Sequence, residues 1–260
     1  MSSIDTIMQK VTPLTHQSAA LPADSEHFLY TQTRIQATQK SHLQKNRIIS
    51  GFKSGEWIES YKMLRTRCLQ IMDVNNWSTL AITSPGESSG NSLTAANLAV
   101  SIAMELNRSV LLVDANFMNP GICNLFGLDT DQGLSDYLLR DTPINEMLIS
   151  PDFDRLVILP AGKAMINSPE MLRSDKMKRL VNELKTRYPS RIIIFDMPPL
   201  LSQSDALGFV PSVDAVLLVV DEGHTKTDEL KKAASLLKDI NVLGTVLNKA
   251  SNKKIKYQAS

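Results

Sequence analysis

The chain has 260 residues, a formal net charge of +1 and 43% hydrophobic residues, which suits one large soluble domain with or without a tail. This charge balance gives no general attraction to nucleic acid or to an anionic membrane. The two cysteines and four histidines form no cluster with metal-ligand spacing, so a zinc site is not expected. The apolar runs are too short to cross a bilayer and the first residues lack a signal-peptide pattern, so we expect a cytoplasmic protein.

Residues 1–50 are polar and lack a sustained hydrophobic period. A short helix from Ile4 to Val11 is compatible with the spacing of four apolar side chains there. The stretch from Leu14 to Lys45 is interpreted as a tether, either a disordered arm or a docking peptide. We therefore expect a polar, partly disordered arm, one domain over residues 51–250, and a basic tail over residues 251–260.

Beyond the arm, a helix is predicted from Glu56 to Met72, and apolar segments then alternate with helix-type segments. The apolar segments are nearly continuous, as in strands buried on both faces. They are Ser78–Thr83, Ser109–Asp114, Arg155–Leu159, Arg191–Asp196, Asp214–Val220 and Val242–Leu247. The alternation predicts an α/β fold with a parallel, doubly wound sheet flanked by helices. Ligands of such sheets bind at the carboxyl ends of the strands.

Two helices between these strands have apolar side chains at helical spacing. One is predicted around Met177 to Leu184, with Ser168 as the N-cap ahead of a proline. The other runs from Leu230 to Leu237, and Thr225 and Asp228 precede it at the spacing of a capping box.

A loop of small residues, SPGESSGNS over residues 84–92, follows the first predicted strand and precedes a helix predicted from Leu93 to Leu106. This strand–loop–helix context is typical of a P-loop, whose backbone N–H groups cradle phosphates. Asn91 stands where a lysine would neutralise the β- and γ-phosphates. The motif is therefore incomplete. The predicted nucleotide-binding residues are Ser88, Ser89, Gly90, Asn91, Ser92, Leu93 and Asn248. Asn248 and Lys249, after the last strand, either face the base or cap a helix.

Two carboxylates lie at strand ends beside this loop in the predicted sheet. Asp114 ends the second strand and Asp196 ends the strand that precedes two prolines. An acidic residue at the end of a buried strand is costly unless it binds something. Each alone could be an N-cap or turn residue, but together with Ser92 they predict a magnesium site.

The chain resembles a known family from about Leu43 to Ala250. The stretches that carry the resemblance are LAITSP, SLTAANLAVSIAMEL, SVLLVDA, NPGICNLFGL, GLSDYLL, RLVILPAG, RYPSRIIIFDMPPLL, VDAVLLVV and LGTVLNKA. They are similar to the bacterial tyrosine autokinases of capsule and exopolysaccharide loci, the CpsD/CapB-like family, which are relatives of MinD and ParA ATPases. The resemblance therefore adds the P-loop NTPase type to the predicted fold.

The resemblance implies that ATP and Mg are cofactors and that tyrosines of a C-terminal tail are phosphorylated, usually in trans within a ring. It also implies activation by a membrane-embedded polysaccharide chain-length regulator, which would place the protein at the inner face of the cell membrane. A homo-oligomer, or a mixed oligomer with an active relative, is expected. No nucleic-acid partner is expected.

The family's charged motifs are only partly present. The matching positions are Gly90, Ser92, Asp114 and Asp196, and the two aspartates would be catalytic if the protein is active. The departing positions are Asn91, Asn116 and Met118, where the resemblance leads us to expect lysine, aspartate and arginine.

Two further features follow from the resemblance. Glu59, Lys62 and Arg65 resemble the family's ring-contact motif, with Lys62 in place of an arginine, although a solvated helix face explains them equally well. Tyr257 is the one tyrosine in a tail where a cluster is expected, and it is the predicted phosphoacceptor.

Three functions are consistent with this pattern. The first is a pseudokinase-like regulator of exopolysaccharide synthesis with weak or lost autophosphorylation. The second is an active autokinase whose missing cation comes from Lys53, Lys163 or a neighbouring subunit. The third is a MinD/ParA-like positioning ATPase, which would need an amphipathic membrane helix or a DNA-binding surface, and neither is evident.

Overall fold

The computed structural model of the protein describes residues 33–187 and 190–250. These residues form an eight-stranded sheet. In chain order the strands are β1 (Arg34–Ile35), β2 (Thr79–Thr83), β3 (Ser109–Asp114), β4 (Ile149–Ser150), β5 (Leu156–Leu159), β6 (Arg191–Asp196), β7 (Ala215–Asp221) and β8 (Val242–Asn248). Across the sheet they lie in the order β1-β4-β5-β3-β6-β2-β7-β8. Neighbouring strands are parallel except β4 and β5, which are antiparallel. The predicted α/β architecture is confirmed.

Helices connect the strands, as expected for parallel pairs. They are α1 (Lys40–Lys45), α2 (Glu56–Asn75), α3 (Asn91–Ala103), α4 (Ile122–Phe126), α5 (Leu134–Arg140), α6 (Ser168–Arg173), α7 (Asp175–Arg187), α8 (Ser204–Phe209) and α9 (Thr227–Leu236). Short 3-10 helices cover Ile49–Gly51, Ile144–Glu146 and Val210–Ser212. Over the described ranges, none of these helices is long and apolar enough to cross a membrane.

The central strands are the core of the domain. Every residue of β2, β3, β5, β6 and β7 is buried, which confirms the prediction for these strands. The prediction is wrong for β8, in which Val242 and Leu247 are 44% and 52% exposed. Because β8 is the edge strand, it has a strand neighbour on one side only.

The structure assigns residues 33–50 to the same compact unit as the rest of the described chain. Leu43, Ile48 and Ile49 are buried there. The Asn97 side chain on α3 accepts from the Ile49 N–H (2.9 Å) and donates to the Arg47 carbonyl (3.0 Å). The tether interpretation is therefore wrong for residues 33–45.

Several helix boundaries also differ from prediction: α2 continues to Asn75, and α3 runs from Asn91 to Ala103 instead of from Leu93 to Leu106. The helix expected around Met177 is split at Ser174, whose hydroxyl accepts from the Met177 N–H (3.2 Å) and so caps α7. Ser168 is the first residue of α6 rather than its N-cap. Helix α9 begins at Thr227, and its capping contact joins the Lys226 N–H to Glu229 (3.1 Å) instead of using Thr225 and Asp228.

Four predictions concern parts of the chain outside the described residues. They are the short helix from Ile4 to Val11, the tether over residues 14–32, the basic tail over residues 251–260, and Tyr257 within it.

Candidate nucleotide site

The phosphate loop over residues 84–90 lies between β2 and α3, at the carboxyl edge of the sheet. The carbonyls of Ser84 and Pro85 accept from the N–H groups of Leu200 (2.9 Å) and Leu201 (3.2 Å). Within the loop, the hydroxyls of Ser84 (2.7 Å) and Ser89 (3.0 Å) donate to the carbonyl of Gly86. The loop is therefore tied both to itself and to the segment that follows β6.

Asn91 begins helix α3 and its side chain faces the protein. Its Nδ2 donates to the Met197 carbonyl at 2.6 Å and to Asp196 Oδ1 at 3.3 Å, and the residue is 7% exposed. The side chain carries no charge, and both amide hydrogens are engaged at the end of β6. Asn91 therefore supplies no cation for a bound phosphate.

Asp114 and Asp196 lie opposite each other in the register of β3 and β6. Asp114 Oδ1 accepts from the Asn116 N–H (3.2 Å), and its Oδ2 accepts from the N–H groups of Gly121 (3.0 Å) and Ile122 (3.1 Å). Burial raises the pKa of Asp114 to about 6, although these N–H groups oppose the shift. Backbone N–H groups therefore hold the Asp114 carboxylate, and the neutral Asn91 side chain does not neutralise the charge of the carboxylate pair.

Asp196 is fully buried, and its Oδ2 makes no hydrogen bond within the described part of the chain. Burial raises the pKa of Asp196 well above its usual value, and the charge of Asp114 raises it further. Hydrogen bonds from Ser92 and Asn91 act in the opposite direction. An unpartnered buried carboxylate oxygen is costly unless a cation or a water binds it.

These oxygens fit magnesium. Ser92, at the start of α3, is near enough to Asp196 to lower the pKa of that carboxyl, and Asp114 lies on the adjacent strand. Mg²⁺ is usually held by one or two carboxylates together with waters and substrate phosphates. The described residues contain no group of three or more His, Cys, Asp or Glu side chains suited to a metal. The site therefore suits a metal that arrives with phosphate better than one caged by protein alone.

The other two departures lie in the segment after β3. Asn116 is 6% exposed, and its Oδ1 accepts from the Asn119 N–H at 3.3 Å, so it stabilises the turn. Met118 is 51% exposed. Neither residue brings charge to this edge of the sheet.

Asn248 and Lys249 contact the phosphate loop from the end of β8. The Asn248 amide donates to the Ser89 carbonyl at 2.8 Å, and the Lys249 ammonium donates to the Ser88 carbonyl at 2.7 Å. The sequence left the role of both residues open. It also missed Asp221, which ends β7 and pairs with Lys249 at 2.7 Å. Asp221 ends an apolar strand as Asp114 and Asp196 do, so the same signal could have found it.

The remaining predicted residues lie elsewhere or make other contacts. Leu93 is half-buried in the first turn of α3. Lys53 and Lys163 are exposed, and within residues 33–187 and 190–250 neither side chain makes a hydrogen bond or ion pair with the loop.

The predicted ring-contact residues lie on α2. Lys62 pairs with Glu59 of the same helix at 2.8 Å, and both side chains are largely exposed. Arg65 instead faces α3, where it donates to the Ser101 carbonyl (3.0 Å) and pairs with Glu105 (2.9 Å). Its side chain is 16% exposed. Glu59 and Lys62 are therefore better placed than Arg65 to contact another subunit.

Comparison with known proteins identifies the family. A model described as AAA domain matches residues 79–255. CapB of Staphylococcus aureus is 31% identical over 193 residues, covering 74% of this chain and 83% of that protein. Tyrosine-protein kinase YwqD of Bacillus subtilis is 30% identical over 216 residues, covering 82% and 90%. The chain belongs to the bacterial tyrosine-protein kinase family.

Solved structures agree with this family membership. The chimerical protein CapA2B2 is 28% identical, with a TM-score of 0.73 over 82% of this chain and 92% of that one. The septum site-determining protein MinD of Pyrococcus horikoshii, solved as a complex with Mg-ADP, is 25% identical, with a TM-score of 0.57 over 68% and 72%. This chain therefore shares the fold of a protein whose structure contains Mg-ADP.

Proposed function

We propose that this family member is a regulator of capsule or exopolysaccharide biosynthesis that binds ATP-Mg weakly or not at all, with weak or lost autophosphorylation. The observation that supports this most directly is Asn91. Its neutral amide is bound to Met197 and Asp196 at the place where the family resemblance leads us to expect a lysine. The phosphates of a bound nucleotide would meet backbone N–H groups but no side-chain cation from this position.

Catalysis of phosphoryl transfer depends mainly on positioning and charge neutralisation. Removing one preorganised donor typically lowers the rate by a factor of about 10²–10³. Asn91, Asn116 and Met118 all remove charge from one site, and their effects are not additive because such groups act as a unit. All three changes nevertheless favour slower phosphoryl transfer.

The parts that remain would still hold the cofactor in a defined place. Ser92, Asp114 and Asp196 would bind magnesium, and the loop N–H groups would contact phosphate. Magnesium supplies neutralisation of the phosphate charge when it is bound. Asp196 Oδ2 is available for this because it is otherwise without a partner among the described residues. Retained binding without efficient transfer is therefore chemically reasonable.

ATP affinity of the wild type, Asn91→Lys and Asn91→Gln, measured by titration calorimetry with magnesium, tests this proposal. A charge-assisted contact to phosphate is expected to raise the affinity of the lysine variant by about tenfold or more. Asn91→Gln is the matched neutral control and should not raise the affinity. Tight ATP binding by the wild type, equal to that of the lysine variant, would contradict the proposal.

An active autokinase is the second candidate, with its missing cation supplied by Lys53, Lys163 or a neighbouring subunit. Lys249 also reaches the loop, but its ammonium donates to the Ser88 carbonyl and is paired with Asp221. If this candidate is correct, magnesium-dependent phosphorylation should occur in the wild type and disappear on substitution of one of these lysines or of a cation from a neighbouring subunit. Equal turnover in all variants would exclude these lysines as the source. The MinD/ParA-like positioning role has no specific observation in its favour.

The expected partner is a membrane-embedded polysaccharide chain-length regulator, which would place the protein at the inner face of the membrane. A homo-oligomer or a mixed oligomer with an active relative would use the face of α2 that carries Glu59 and Lys62. Light scattering of the purified protein, with Glu59→Lys as the perturbed variant, tests the oligomer. A wild type that stays monomeric, alone and with an active relative, would contradict it.

A further inference from the structure

The end of β8 holds two consecutive peptide groups of the phosphate loop. Asn248 donates to the Ser89 carbonyl at 2.8 Å, and Lys249 donates to the Ser88 carbonyl at 2.7 Å. The Lys249 ammonium also pairs with Asp221 at 2.7 Å. A strand end thus fixes the part of the loop that comes just before α3.

The backbone of Lys249 is in an unusual conformation that directs its side chain back to the loop. Its φ is +57°, in the left-handed region that is disfavoured for lysine. Such a conformation persists where the surroundings over-determine it. Here the pairing of β7 with β8 continues to Asp221 and Asn248, and Asp221 is 5% exposed. The buried carboxylate is therefore a fixed anchor for the ammonium.

Peptide geometry relates these contacts to anion binding. In a planar trans peptide the N–H points away from the C=O. Because the carbonyls of Ser88 and Ser89 are turned toward β8, the N–H groups of Ser89 and Gly90 are turned to the opposite side. Across residues 33–187 and 190–250, neither N–H donates a hydrogen bond. Successive free N–H groups of this kind bind oxyanions.

Gly90 permits the close fit. A Cβ at this position would lie 2.3 Å from Asn248 Nδ2, and the φ of Gly90 is +86°. The glycine is thus required both by its own backbone conformation and by the approach of the β8 end. The loop and the strand end are fitted to each other directly.

We propose that Lys249, anchored by Asp221, is a positioning residue that holds the Ser88 and Ser89 peptides so that the following N–H groups face an oxyanion. The lysine that positions the loop follows the end of β8, and the loop itself contains no lysine. This inference rests on the proposed function only in taking the oxyanion to be a nucleotide phosphate.

Backbone ¹⁵N relaxation of the full-length, nucleotide-free protein tests the positioning role without any ligand. The variants are Lys249→Gln, Lys249→Arg and Asp221→Asn, and Lys238→Gln is the matched control on an exposed lysine far from these contacts. Lys249→Gln and Asp221→Asn should lower the order parameters of the Ser89 and Gly90 N–H groups from about 0.85, the value of rigid backbone, to about 0.6 or below. Arginine can donate to both acceptors and should keep these order parameters high.

Mg-ADP affinity of the same variants, measured in the wild-type and Asn91→Lys backgrounds, tests the consequence for phosphate. Lys249→Gln should weaken binding by about tenfold and Lys249→Arg should not. Unchanged order parameters of Ser89 and Gly90 in Lys249→Gln overturn the inference whatever the affinity, and so does an arginine variant as perturbed as the glutamine variant. If neither background binds Mg-ADP, the oxyanion is not a nucleotide phosphate, while the order parameters still decide the role of Lys249.

Discussion

Replacing Asp196 by asparagine should stabilise the metal-free protein. Asp196 is fully buried opposite Asp114, and its Oδ2 has no hydrogen-bond partner among the described residues. Asparagine keeps an oxygen that can accept from Asn91, and it places an N–H₂ group where the unpartnered oxygen lies. The substitution therefore removes a buried charge and a repulsion while it keeps the shape of the side chain.

The size of the effect follows from the pKa values of the pair. The pKa of Asp114 is raised from 3.8 to about 6 by burial, which corresponds to roughly 3 kcal/mol of destabilisation at neutral pH. The pKa of Asp196 is also raised well above 3.8, first by burial and then by the charge of Asp114, so ionising Asp196 destabilises the folded protein as well. Because a raised carboxyl pKa means that the folded protein binds the proton more tightly, this cost grows as pH rises above about 4 and vanishes below it.

Urea unfolding of the wild type and Asp196→Asn in chelator-containing buffer measures the difference. We expect Asp196→Asn to gain about 1–3 kcal/mol near neutral pH, the usual cost of a buried polar group without a partner, and much less near pH 4, where the wild-type carboxyls are protonated. Asp239→Asn is the control because the Asp239 side chain is 84% exposed. An asparagine variant that is no more stable than the wild type near neutral pH would refute the account of the carboxylate pair.

Two other predictions concern stability and thiol chemistry. Asp214 accepts from the N–H and hydroxyl of Thr79 and pairs with Lys185. Burial raises the pKa of Asp214, but the hydrogen bond from Lys185 and the hydrogen bonds from Ser78 and Thr79 lower this pKa overall. Asp214→Ala should therefore lower the free energy of unfolding in urea by about 2–3 kcal/mol at neutral pH, because the donors around Asp214 lose their acceptor. The difference from the wild type should shrink as pH falls below about 4. Equal stability of the two proteins at neutral pH would contradict this prediction. Burial raises the pKa of both Cys68 and Cys123 to about 12. Ellman's reagent at pH 8 should therefore label both thiols slowly in the folded protein and rapidly in denaturant. Fast labelling of the folded protein would contradict the burial of these thiols.

The sheet could be predicted from sequence because its strands are buried on both faces. Continuous apolar segments placed β3 and β6 at their observed bounds, and parallel topology then required Asp114 and Asp196 to meet at one edge. The prediction fails where this signal is weak. Residues 33–45 are polar overall, and single apolar side chains such as Leu43 fix them to the domain.

The contacts around the loop could not be predicted because they depend on side-chain direction. Sequence marks Asn91 as a missing lysine, but not that its amide binds Met197 and Asp196. Likewise, Lys249 contacts Ser88 from a left-handed backbone conformation that is unusual for lysine. Neither contact has a signature in spacing or composition.

Phosphate incorporation from ATP into the purified full-length protein, with and without magnesium, tests the central claim most directly. Phosphopeptide mass spectrometry would locate any label, with Tyr257 the expected acceptor and Tyr257→Phe the control. We predict that the wild type incorporates little or no phosphate under conditions in which an active relative labels itself fully. Magnesium-dependent labelling of Tyr257 at a rate similar to that of the relative would contradict the claim that loss of charge at Asn91, Asn116 and Met118 has weakened the chemistry.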